Sequence, residues 1–122
     1  MKHVPPQQLI ISTEADLIQL RQALRQSARA MELPPAQQAR ITAAVSEVAR
    51  ALIHHCYASA IVIHCDDRDV HHPLVVECES EREAYQHIAR QEPVQTAFSL
   101  VDETNVTSSP QGHLVTMKFR TV

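Results

Sequence analysis

Apolar positions recur along this chain with two different periods. Leu9-Ile10-Ile11 is a short apolar run that suits a first strand. From Leu17 the spacing changes: Leu17, Leu20, Leu24, Ala28 and Met31 fall at steps of three and four. That pattern predicts an amphipathic helix, opened by Thr13 and Asp16. Pro34-Pro35 ends it, and Pro35 suits the first turn of a second helix. There Ile41, Val45, Val48, Leu52 and Cys56 line one stripe over about four turns, the clearest element in the chain.

The remaining pattern is that of strands with one or two short helices. Ser59–Cys65 reads as a strand rich in β-branched residues, Asp66–Pro73 as a polar turn, and Leu74–Cys78 as the returning strand. Glu81–Gln91 is charged and weakly periodic, a short helix or helical loop. Pro93 opens a helix to Val101. A last hairpin pairs Thr104–Ser108 with Leu114–Arg120 through Ser109-Pro110-Gln111-Gly112, where Gly112 supplies a turn residue at positive φ. The order β-α-α-β-β-α-β-β predicts an α+β fold, a two-layer sandwich with helices on one face of a mixed, largely antiparallel sheet. Residues 1–8 read as an N-terminal tail and 9–122 as one domain.

Composition narrows the function. Apolar residues make up 44% and aromatics only 3%, so aliphatic side chains and alanine must fill the core. A net charge of −3 and the lack of aromatic residues interleaved with basic ones argue against a nucleic-acid partner. No segment approaches the roughly 20 apolar residues of a membrane span. Met1–Gln8 carries two prolines and no apolar stretch, unlike a signal peptide. The three cysteines lack a CxxC spacing and read as reduced thiols, which places the chain in the cytoplasm. A single glycine, Gly112, excludes a P-loop, a Rossmann fingerprint and a kinase glycine-rich loop.

The run from Gln38 to Arg50, QARITAAVSEVAR, resembles the N-box helix of anti-sigma-factor serine kinases, members of the GHKL (histidine-kinase-like) ATPase superfamily. The likeness continues through Ala51-Leu52-Ile53-His54-His55-Cys56-Tyr57, where the family often has Asn-Ala-x-x-His-Ala-Tyr. A second block, Leu100–Ser108 followed by Gly112–Met117, is similar to the family's closing hairpin. The resemblance implies the histidine-kinase-like fold. It also implies partner switching, in which STAS-domain antagonists, a sigma factor or a phosphatase compete for one surface.

The departures from the family are as informative as the matches. The resemblance makes Glu47 the position of the catalytic base, and the position four residues on that of an asparagine holding Mg²⁺. Residues at i and i+4 share a helix face, but here the second is Ala51, which offers a metal no oxygen. The family's Asp-x-Gly-x-Gly box falls on Val75–Arg82, which has no glycine and carries Glu77 and Glu79 instead. From Glu79 to Pro93 the chain is about ten residues short of a lid. The former nucleotide pocket would comprise Glu47, Ala51, His55, Glu77 and Glu79, in a degenerate member that needs neither ATP nor Mg²⁺.

The alternatives are a working ATP-dependent serine kinase built on Glu47 and the carboxylates near Glu77, or a structural dimerising module. Arg40, Arg50 and His54 are the candidate partner-binding residues. His54, His55, His64, Cys65, His71 and His72 do not have the spacing of a metal site: adjacent helical residues diverge by about 100°, and adjacent strand residues face opposite ways. Asp102-Glu103 read as a helix end leading into a strand. Glu77, Glu79, Glu81 and Glu83 read as an interaction face or the solvated start of a helix.

Overall fold

A computed structural model describes residues 5–56, 58–109 and 112–121. The chain runs β1 (Gln7–Ile11), α1 (Asp16–Ala30), α2 (Pro35–His55), β2 (Ser59–Cys65) and β3 (Leu74–Glu81). It continues with α3 (Arg82–Ile88), α4 (Glu92–Ser99), β4 (Glu103–Ser109) and β5 (Gly112–Phe119). The five strands form one sheet in the order β1-β2-β3-β5-β4, and each described pairing is antiparallel.

Strand parity divides the sheet into two faces. Leu9 pairs with Ile61, Ile61 with Cys78, and Cys78 with Val115; Ile63, Val76 and Met117 form the next row. These rows belong to one apolar core, which the helices cover with Leu17, Leu20, Leu24, Ile41, Val45, Val48, Leu52, Ile88 and Val94. Full burial of each large aliphatic side chain stabilises the fold by about 1.5–3 kcal/mol. The α2 stripe read from the sequence is buried along its whole length, from Ile41 to Cys56.

Several details differ from the sequence pattern. β3 runs on to Glu81, because Ser80 keeps the buried parity of Val76 and Cys78 while Glu79 and Glu81 point outward. The acidic run therefore begins on a strand, and only its end, from the exposed Glu81 that precedes α3, is the start of a helix. Two helices, α3 and α4, follow it, joined by three residues, 89–91. At the start of α1 the polarity is the reverse of the expected cap: the Ser12 and Thr13 amides donate to the Asp16 carboxylate at 2.8 and 3.0 Å. Those two bonds hold the Asp16 carboxyl below its ordinary value. Glu32 closes α1 in the left-handed region at φ 59°, a place glycine usually takes. Gly112 opens β5 at the positive φ expected of it, 159°, close to extended backbone. The Pro110-Gln111 part of its turn lies outside the described residues. β1 begins at Gln7, two residues inside the expected tail.

Candidate functional site

α2 lies between α1 and α4 and exposes a ridge to solvent. Ala43 and Glu47 on that ridge border two grooves. The first, about 620 Å³, runs between α1 and α2 and is lined by Arg21, Arg25, Arg29, Gln38, Thr42 and Ser46 among others. The second, about 550 Å³, runs between α2 and α4, past Glu92, Pro93, Thr96 and Leu100.

Glu47 is half-exposed and already engaged. Its Oε1 accepts a hydrogen bond from Arg50 Nη1 at 2.7 Å. Arg50 Nε also lies 3.9 Å from Glu14, whose other oxygen is 3.2 Å from His54 Nε2. This chain of polar contacts ties the residues just before α1 to the last turns of α2. Two of the three candidate partner residues, Arg50 and His54, therefore have partners within the chain. Arg40 is also engaged, at 3.3 Å from Asp102. Asp102 in turn accepts the Arg120 amide at 2.8 Å, which fits its reading as a residue that ends a helix and leads into a strand.

Of the five former-pocket candidates, Glu47, Ala51 and His55 follow one another at four-residue spacing along α2, and Glu77 and Glu79 do not join them. Ala51 is buried in the core, 6% exposed, on the helix that α3 and α4 pack against. His55 is exposed, stacked on His87 with ring centroids 6.2 Å apart and 2.8 Å from Gln91 Nε2. Glu77 and Glu79 have the outward parity of β3, so they lie on the sheet face opposite the helices. There Glu77 Oε1 is 2.6 Å from His64 Nε2. Grouping them with Glu47 is thus corrected by strand alternation, since Val76 and Cys78 take the core face. Glu83 has no described side chain.

These placements bear on the Mg-ATP site that the sequence resemblance implies. Ala51, four residues after Glu47, offers only a buried methyl group. The carboxylate four residues before it is held by a guanidinium. Three residues, 89–91, join α3 to α4. Among the described residues, left-handed backbone that could aim amides at phosphate occurs only at Glu32 and His72, both outside the Val75–Arg82 segment.

The sequence reading missed the row formed by Arg21, Arg25 and Arg29. Arg21 Nε donates to the buried Ser46 Oγ at 3.2 Å, fixing that end of the row against α2. Four-residue spacing was the available signal, but α2, the other wall of the groove, is distant in sequence.

No family model matches the chain, and no curated protein does. Among solved structures it is similar to the crystal structure of the RsbU and RsbW domains of Rv1364c from Mycobacterium tuberculosis, with a TM-score of 0.72 and 18% identity. The match covers 96% of this chain and 32% of that one, so this chain spans about a third of its length. No helix among the described residues is long and apolar enough to cross a membrane. The chain shares the fold of the matched part of that structure, in keeping with the α+β sandwich that the element order predicts.

Proposed function

We propose that this chain is a regulatory domain that has kept the anti-sigma-kinase fold, lost the means to hold Mg-ATP, and works by binding proteins. The observation that carries this reading is the burial of Ala51 on α2, the helix against which α3 and α4 pack with three residues between them, where a working kinase needs a metal ligand and a lid. The separation of Glu47 from Glu77 on opposite sides of the sheet weighs against the working-kinase alternative, which needed both. The mechanism is partner switching: a STAS-domain antagonist, a sigma factor or a phosphatase excludes another partner from a shared surface on α1 and α2. Cytoplasmic placement follows from this role.

The test is complex formation, by calorimetry, with STAS-domain proteins and sigma factors encoded beside the gene, with and without ATP. The reading expects a complex that forms equally well without nucleotide. A complex that requires ATP, or phosphate transferred to a serine of the partner, would overturn it.

A further inference from the structure

We infer that the row Arg21, Arg25 and Arg29, with the groove beside it, docks an acidic amphipathic helix of a partner protein. This rests on the reading of the chain as a protein-binding regulator and names the chemistry of what it binds. The argument begins with spacing. Residues four apart on an α-helix advance about 6 Å, so the three arginines are spaced over about 12 Å of the helix axis.

The charge on that line is uncompensated. α1 holds one acidic residue, Asp16, at its start and occupied by the Ser12 and Thr13 amides. Arg21 is held by the neutral Ser46 hydroxyl. Arg25 and Arg29 make no ion pair or side-chain hydrogen bond among the described residues. On the facing wall Gln38, Thr42 and Ser46 are neutral, and the one carboxylate, Glu47, is held by Arg50. A cationic row of this kind in a chain of net charge −3 is a local reversal of sign.

The rest of the lining selects the class of ligand. Pro35, Ala39 and Ala43 give the groove a wall of small apolar groups, against which another helix can approach closely. A helix with carboxylates at four-residue spacing repeats the period of the arginines and presents one acid to each. Arginine suits this role because its planar fork meets a carboxylate with two parallel hydrogen bonds. A nucleic acid fits less well. Tight phosphate-backbone binding uses about 6–10 cationic contacts, and the row supplies three.

The experiment titrates the whole chain into a short fluorescent helical peptide with glutamates at four-residue spacing and alanine and leucine on the opposite face. Anisotropy is read at low and high salt. Binding is expected to weaken with salt and to fall by about tenfold or more in Arg25→Glu/Arg29→Glu. That variant is expected to bind the matching peptide with lysines in place of glutamates. Both arginines are exposed, and Arg25→Gln/Arg29→Gln, with an unchanged unfolding midpoint, provides the milder control. The proposal is overturned if the peptide does not bind, if the Gln variant binds as well as the parent chain, or if a scrambled peptide binds equally. Tighter binding of a single-stranded oligonucleotide than of the peptide overturns it too. A natural partner that binds parent and Gln variant alike would sink the docking row and leave the proposed function standing. Binding of Mg-ATP would do the reverse.

Discussion

The Glu47 carboxylate and the Arg50 guanidinium, one turn apart on α2, meet at 2.7 Å. Both side chains are more than a third exposed, so water screens the pair and its contribution to stability is small. Glu47→Ala should lower the unfolding free energy by about 0.5 kcal/mol or less, measured in urea. A loss of several times that would mean that Glu47 holds the fold in a way this geometry does not show.

Ala51 allows a sharper substitution. Ala51→Asn restores the residue type the family resemblance places there, but it puts an amide into a packed, nearly water-free position. We expect a loss on the order of 1–3 kcal/mol from an unsatisfied buried polar group. No binding of Mg-ATP should be gained, because the lid and the glycine-containing segment would still be missing. Urea denaturation and nucleotide titration of the same variant check both halves.

The start of α1 should report on acid pH. Two backbone amides hold the folded Asp16 carboxyl below its ordinary value of 3.8. Its contribution is therefore present above the unfolded value and declines as pH falls through 3.8 toward the folded one. Asp16→Ala should melt at a lower temperature than the parent at neutral pH. In thermal scans the two curves should converge in strong acid.

The thiols should behave in the opposite sense. Burial, followed by the charges of Asp67 and Asp66, pushes Cys65 up to about 11; burial, with Glu77 adding to it, pushes Cys78 up to about 12. Since the thiolate is the nucleophile, iodoacetamide should label neither at neutral pH until the chain unfolds. Their stabilising effect is complete below the unfolded value of 9.0 and is lost as pH rises through the folded values. Mass spectrometry after alkylation across alkaline pH checks the order, Cys65 before Cys78.

Most of the fold was legible because its stripes are long. The α2 stripe and the β-branched Ser59–Cys65 segment carry their period in adjacent residues, and β2 has those bounds. The end of β3 was hidden because Glu79 and Glu81 mask the buried Ser80, so an alternating strand looked like an acidic cluster. The site was less legible than the fold. The parity of Glu77 against Val76 was available and would have removed it from the pocket. The arginine row was visible as a spacing but had no meaning until α2 supplied the groove's second wall. Likewise, the engagement of Arg40 by Asp102 joins residues 62 apart, which no local pattern reveals.

The central claim is that this fold no longer holds Mg-ATP, and isothermal titration calorimetry of the purified chain with Mg-ATP tests it most directly. The account predicts no saturable heat up to millimolar nucleotide, a limit of about 4 kcal/mol of binding free energy. Saturable binding that disappears in Glu47→Ala would contradict it.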